Sequence, residues 1–139
     1  MKQRIFAGFF LFVLTFLACG PKKNLDQQAI DGTWVPIHQE IGGEVLPKDG
    51  FKDQKLIIDG ANYVLLAESM DKGNVSHTST TLDIHSKDGV NQGKSFKAIY
   101  VLENNRLKVC YNLQGDHYPP DFNSNGKPYY FLSVFKRIK

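Results

Sequence analysis

The run from residue 121 to residue 126 (D-x-N-x-N-G) places oxygen-bearing side chains at alternate positions before a glycine. It matches the first half of a calcium-binding loop, because a hard cation prefers carboxylate and amide oxygens and the glycine permits a sharp turn. The twelfth position, which should supply a bidentate glutamate, is Leu132. We therefore expect a polar turn with no resident metal or other cofactor, and we keep Asp121, Asn123 and Asn125 as candidate ligands.

The histidines and carboxylates do not form a recognisable catalytic pattern. His77 and His85 could lie near Asp83, but opposite strand faces or simple exposure explain the same spacing. The sequence contains no Gly-x-Ser-x-Gly elbow, no His-Glu-x-x-His pair and no phosphate-binding glycine loop. We therefore predict that the protein is not an enzyme.

Cys19 has the sequence context of a lipid attachment site. Lys2 and Arg4 precede the apolar run from residue 5 to residue 17, as in an export signal. That run is shorter than the roughly 20 residues that a membrane-spanning helix needs. The segment F-L-A-C-G at residues 16–20 resembles the bacterial lipobox, in which the cysteine receives a diacylglyceryl group and the new N-terminus is acylated, as with palmitate. The alternative is a cleaved secretory signal followed by an incidental cysteine.

These features divide the chain into three parts. We predict a signal peptide at residues 1–18, a lipidated N-terminus and flexible tether at residues 19–30, and a folded domain at residues 31–139. Several acyl chains on one cysteine would anchor the protein stably to a membrane. The domain would then lie outside the cytoplasm, in the bacterial cell envelope, on an inner or outer membrane that the sequence does not distinguish.

The charge of the chain argues against a nucleic-acid partner. It has 17 Lys and Arg against 14 Asp and Glu, a net charge of +3. Lys2 and Arg4 lie in the predicted signal, so the mature chain would carry only +1. Nucleic-acid-binding proteins normally show a basic patch or stripe, and the sequence shows none. Cys110, left without a disulfide partner, lies in an apolar run and is expected to be a buried thiol.

From Thr33 onward, β-branched and aromatic residues alternate with polar ones, and turn dipeptides separate the runs. This pattern predicts an all-β domain: a small antiparallel meander of about eight strands that closes into a barrel. The expected strands span residues 33–40, 54–58, 61–68, 74–79, 81–86, 96–103, 106–112 and 130–137.

Two hairpins can be assigned a register. A two-residue turn at Asp59-Gly60 would place Ile58 opposite Ala61, and Leu56 opposite Tyr63. A turn at Asn104-Asn105 pairs Leu102 with Leu107, Tyr100 with Val109, and Ala98 with Tyr111, all on one apolar face.

Gly32 and Trp34 open the first predicted strand, and Arg137 ends the last. A Gly-x-Trp start with a late arginine resembles the lipocalin-like barrels. That resemblance implies that the Trp closes the barrel base and that the Arg packs across it. The spacing of further motifs is similar to that of a family of exported bacterial lipocalin-like domains of unassigned activity, common in planctomycetes. These motifs are L-D-I at residues 82–84, G-K at 93–94, I-Y at 99–100, L-K-V-C-Y at 107–111 and P-x-F at 120–122. The resemblance covers roughly residues 31–137 and implies a fold more than a function.

Two functions from different classes remain. The first is a membrane-tethered barrel that binds a small apolar or amphipathic ligand, with candidate contacts at Tyr63, Tyr100, Tyr111, Tyr118 and Phe122. The long connection that carries Tyr118 and Phe122 would be a lid over the barrel mouth or a plug packed on its exterior. The second is a solid-core structural protein of the envelope that binds a protein partner and no ligand. An empty or a filled barrel interior distinguishes the two.

Overall fold

Nine antiparallel strands form one sheet in the computed structural model of the protein, which describes residues 29–139. They are β1 Gly32–Ile41, β2 Glu44–Val45, β3 Lys55–Asp59, β4 Asn62–Leu66, β5 Met70–His77, β6 Thr81–Gly89, β7 Ser95–Glu103, β8 Arg106–Asn112 and β9 Tyr130–Arg137. A short 3-10 turn, Lys48–Gly50, lies between β2 and β3. The all-β prediction is confirmed. Seven of the eight expected strands have both their first and last residues within three positions of the prediction, and β5 begins four residues early.

The sheet closes on itself. β1 pairs with β3 along its first residues and with β9 along most of its length, so that eight strands form a ring and β2 extends only from β1. Each strand from β3 to β8 pairs with the next one along the chain. Closure satisfies the edge hydrogen bonds that an open sheet would expose. This is the predicted meander barrel, and it is consistent with a lipocalin-like fold.

The two predicted hairpins differ in outcome. The register at Asn104-Asn105 is confirmed, since both asparagines have positive φ (50° and 59°) and Leu102 lies opposite Leu107. The register at Asp59-Gly60 was wrong: Asp59 pairs with Asn62, and Gly60 and Ala61 form the turn. Gly60 has a φ of 59° and Ala61 has no positive φ, as a type II′ turn requires. The shift moves every partner by two positions, so the inward face is unchanged.

A bulge in β1 changes which residues of that strand face inward. Before it, Trp34 and Pro36 are buried; the pairing with β9 then skips Ile37, and Gln39 becomes the next buried residue. An unpaired residue shifts the two-residue alternation by one position. Gln39 therefore points into the barrel although the unbroken alternation would place it outside.

One end of the barrel is closed by an indole and a guanidinium. Trp34 is fully buried and donates through Nε1 to the Ile30 carbonyl at 2.9 Å. The Arg137 guanidinium lies 4.3 Å from the centre of the Trp34 ring and donates to the carbonyls of Ala29 and Asp31. Gly32 has a φ of 141°, and a Cβ there would lie 2.9 Å from that guanidinium. These are the contacts at the barrel base that the lipocalin-like resemblance implies.

The predicted signal peptide and Cys19 lie outside the described residues. Within residues 29–139, no helix has the length and apolar character needed to cross a membrane.

Candidate ligand-binding cavity

The barrel interior is filled at the Trp34 end and hollow at the other. The filled end holds buried side chains from most strands, among them Trp34, Leu107, Val109 and Tyr100. Above them lies a cavity of about 480 Å³. Its apolar lining consists of Leu56, Ile58, Tyr63, Leu65, Val75, Leu82, Ile84, Phe96, Tyr111, Leu113, Phe131 and Phe135. This volume falls within the range of small-molecule sites, roughly 300–1,000 Å³.

A buried carboxylate borders this cavity. Asp71 on β5 is only 5% exposed. Its Oδ2 accepts a hydrogen bond from the Tyr63 hydroxyl at 2.8 Å, and its Oδ1 accepts one from the Ser86 hydroxyl at 2.6 Å and one from the Asn91 backbone N–H at 3.3 Å. Burial, with a smaller effect of the neighbouring Asp71, raises the pKa of Tyr63 well above its ordinary value. Tyr63 therefore keeps its proton and remains a donor to Asp71.

A pair of amides contributes polar lining from β1 and from the residue that precedes β3. The Gln39 amide donates to Gln54 Oε1 at 3.0 Å and lies 3.4 Å from the Ser133 hydroxyl. Lys94 completes the polar lining and is exposed to solvent. An apolar chamber with a few convergent polar groups is the usual composition of a site for a small organic molecule.

Three of the candidate ligand contacts are inward-facing tyrosines, and the structure places two of them in the cavity and one in the packed core. Tyr63 and Tyr111 line the cavity, and the Tyr111 ring stacks on Phe131 with the ring centres 5.7 Å apart. Tyr100 faces inward but lies at the filled end, where its hydroxyl donates to the Thr78 carbonyl at 2.6 Å. Its side chain is part of the packed core and does not line the cavity.

The other two candidates, Tyr118 and Phe122, lie outside the barrel. The Tyr118 hydroxyl donates to Asp83 Oδ2 at 2.6 Å, and Lys97 Nζ, itself 2.8 Å from Asp83 Oδ1, lies over the Tyr118 ring. Phe122 packs against an outward-facing cluster that includes Cys110 and Leu132. Of the two alternatives for the long connection, the structure therefore shows the plug on the exterior and not the lid. A lid residue would need to reach the mouth, and these side chains are held on the outer wall.

The D-x-N-x-N-G run forms consecutive turns closed by its own side chains. The Asn123 N–H donates to Asp121 Oδ1 at 2.9 Å, and the Asn125 N–H donates to the Asn123 side-chain oxygen at 3.0 Å. Asp121 also lies 3.5 Å from Lys127 Nζ. One side-chain oxygen of Asp121 and that of Asn123 therefore already accept hydrogen bonds from the run's own backbone. Over residues 29–139, no group of three or more His, Cys, Asp and Glu side chains could hold a metal.

The histidines near Asp83 do not converge on it. His85 Nδ1 lies 2.7 Å from the Ser95 hydroxyl on the outer wall, whereas His77 is turned toward Tyr100, with the ring centres 6.1 Å apart. The acceptor sites of Asp83 are occupied by Lys97 and Tyr118. His77 therefore lies on the inner face, whereas His85 shares the outer face with Asp83 but forms its hydrogen bond with Ser95.

Asp71, Gln39 and Gln54 are among the cavity residues that sequence analysis missed. The predicted fifth strand began at Asn74, which left Asp71 out, yet the alternation of buried residues runs unbroken from Val75 back through Gly73 to Asp71. Extending that alternation would have found a carboxylate on an apolar face. No comparable signal existed for Gln39, because its inward position depends on the β1 bulge.

Comparison of the chain with family models, curated proteins and solved structures finds no match.

Proposed function

We propose that this protein is a membrane-tethered, lipocalin-like lipoprotein that binds a small apolar or amphipathic molecule in the bacterial cell envelope. The observation that carries the proposal is the cavity of about 480 Å³ between Phe96, Tyr111 and Phe131 and the filled barrel base. The lipid on Cys19 would hold the barrel at the membrane surface, outside the cytoplasm, with the first part of the predicted tether as spacer, since Ile30 at its end is buried in the core. The chain acts as a binding protein and not as an enzyme, and it needs no cofactor and no nucleic acid.

The hollow end explains why a ligand would be stabilised there. Burying apolar surface contributes roughly 25 cal/mol per Å². A ligand in a cavity lined by aliphatic and aromatic side chains would bury its apolar surface against them, away from water. The cavity is preformed, so binding would not require the barrel strands to separate. Asp71 and the Gln39–Gln54 pair would orient the polar end of an amphipathic ligand.

A second candidate function is an interaction protein of the envelope. Exposed apolar side chains lie at the ends of strands on the hollow side of the barrel, with Met70 43% and Val90 64% exposed. Leu66 lies beside them, since it pairs with Met70. Such a rim fits a protein partner as well as a ligand entering the mouth. The solid core that this alternative was expected to have is not present at the hollow end.

Two neighbouring leucines provide a matched test of the cavity. Leu65 lines it, whereas Leu66 points outward and is 38% exposed. In a lipid-free form consisting of residues 20–139, we expect Leu65→Trp to weaken binding of the apolar fluorescent probe N-phenyl-1-naphthylamine at least tenfold, because the indole occupies the space of the probe. Leu66→Trp should leave the affinity within about twofold.

Fluorescence titration of both variants, with circular dichroism to verify the fold, checks this expectation. Equal affinity in the two variants, or no saturable binding by the unmodified protein, would exclude the cavity as a ligand site. If binding fails but Met70→Lys abolishes co-purification of a specific envelope protein, the interaction protein is the better account.

A further inference from the structure

Asp71 is an unusual group to find beside an apolar cavity. Placing a carboxylate out of water costs several kcal/mol unless other charges or hydrogen bonds compensate. Three donors reach it, from Tyr63, Ser86 and the backbone of Asn91, and all three are neutral. An ionised carboxylate only accepts hydrogen bonds, and three donors around Asp71 are the surroundings that a negative charge at the cavity wall requires.

No cation among residues 29–139 forms an ion pair with this carboxylate, and the ion pairs of that range join other residues. A carboxylate has about four lone-pair positions, and three are taken. The remaining acceptor position belongs to a residue that borders the cavity.

Resting on the proposed binding function, we propose that the ligand is a small organic amine whose ammonium group pairs with Asp71 and whose apolar body fills the chamber. A charge-assisted hydrogen bond to a carboxylate out of water is about twice as strong as a neutral one. The stacked rings of Tyr111 and Phe131 present aromatic surface to the same space, and aromatic faces attract cations as well as apolar groups. The site thus selects for positive charge by two independent features.

Lys94 is the lining residue that would favour an anion. Its side chain is exposed, so water screens its charge, whereas Asp71 is buried. Charges in a low-dielectric setting interact more strongly than charges in water. The buried carboxylate therefore outweighs the solvated ammonium in choosing the ligand.

Three probes with one body and different charge test the proposal: 2-phenylethylamine, 2-phenylethanol and phenylacetate. The full chain is placed in lipid nanodiscs, with empty nanodiscs as the reference for partitioning, and binding is measured by isothermal titration calorimetry at pH 7. We expect the amine to bind at least tenfold more tightly than the alcohol, and phenylacetate to bind most weakly. Asp71→Asn, which preserves the shape of the side chain, should remove the preference for the amine and leave alcohol binding within about threefold.

Two further variants keep the test decisive if Asp71→Asn does not fold. Tyr63→Phe removes one donor from the carboxylate and leaves an acceptor position for a ligand ammonium, so the ratio of amine to alcohol affinity should rise. Lys94→Met removes the positive charge of the lining, so the preference for the amine over phenylacetate should increase. Alcohol or phenylacetate binding at least as tightly as the amine would overturn this inference while leaving the binding function intact. Absence of saturable binding by all three probes, together with no difference between Leu65→Trp and Leu66→Trp, would overturn the binding function itself.

Discussion

At the scale of single residues, the two cysteines differ in the chemistry that their surroundings favour. Cys110 faces outward on β8 but is fully buried beneath the connection between β8 and β9, next to Leu132 and Phe122. Burial raises the pKa of its thiol to about 11, so almost no reactive thiolate exists at neutral pH. We propose Cys19 as the site of acylation because the residues beside it in the sequence resemble a lipobox. This proposal does not depend on how the side chains pack.

We expect Cys19→Ser to abolish incorporation of an alkyne-tagged palmitate when the gene is expressed in a lipoprotein-processing bacterium. Cys110→Ser is the matched control and should retain the label, because the Cys110 sulfur is enclosed and the change is small. Click detection after gel electrophoresis, together with mass spectrometry of the N-terminal peptide, measures the outcome. Label persisting in Cys19→Ser, or an unmodified sulfur at position 19, would refute the lipid anchor.

At the scale of elements, the connection from residue 113 to residue 129 is long but pinned along its length. Tyr118 bonds to Asp83 at 2.6 Å, and the Ser124 hydroxyl bonds to Glu40 at 2.5 Å. At its start, the fully buried Asn112 side chain donates to Asp116 at 2.8 Å and to the His117 carbonyl at 2.9 Å. A segment held at three places behaves as an outer layer of the barrel wall.

The anchoring carboxylates make this layer sensitive to acid. Lys97, and to a smaller extent Tyr118, hold the pKa of Asp83 below its usual value, and Ser124 does the same for Glu40. A lowered folded-state pKa contributes stability that is present above the unfolded pKa of about 4 and is lost as pH falls through the folded value.

Tyr118→Phe should lower the free energy of unfolding by about 1 kcal/mol at pH 7, the usual net worth of one hydrogen bond to a partly exposed partner. Tyr129→Phe is the control, since Tyr129 is 52% exposed. The deficit of Tyr118→Phe should shrink as the pH falls through the lowered pKa of Asp83 and its carboxylate takes up a proton. Urea denaturation at a series of pH values from 7 downward tests this. An equal loss in Tyr129→Phe, or a deficit that does not change with pH, would contradict it.

At the scale of the whole molecule, the barrel is a ring with one filled end and one hollow end. Closure depends on β1, which bridges β3 and β9, and the base depends on Trp34 and Arg137 at the junction of these strands. Because the base is packed, the strands can surround a cavity at the other end without collapsing into it. The packed base and the proposed binding cavity therefore lie at opposite ends of the barrel.

Arg137→Ala should lower the free energy of unfolding by about 2 kcal/mol, since it removes the contact with Trp34 and two hydrogen bonds to backbone carbonyls. Arg106→Ala removes an exposed arginine opposite Glu103 and should change stability by less than about 0.5 kcal/mol. Urea unfolding followed by the fluorescence of the single tryptophan gives both values. Similar losses in the two variants would mean that the guanidinium does not support the base.

Much of the fold could be predicted because strand patterns and turn chemistry are local. Asn104-Asn105 fixed both the turn and the register of β7 and β8, since asparagine tolerates the positive φ that the turn needs. The register predicted from Asp59-Gly60 was wrong, because the glycine occupies the first of the two turn positions and the chain reverses one residue later. The lipid anchor on Cys19 remains a prediction from sequence.

The sequence by itself determined that this chain forms an antiparallel barrel and which tyrosines face inward, because alternation is a property of each strand. Only the tertiary structure decided that the space between Tyr63 and Tyr111 stays open while Tyr100 is packed, and that Tyr118 and Phe122 lie outside. The physical reason is that a cavity depends on the combined volume of side chains from many strands around a closed ring. The inward turn of Gln39 likewise arises from a bulge in the pairing of β1 with β9, two strands that are far apart in the sequence and adjacent in the barrel.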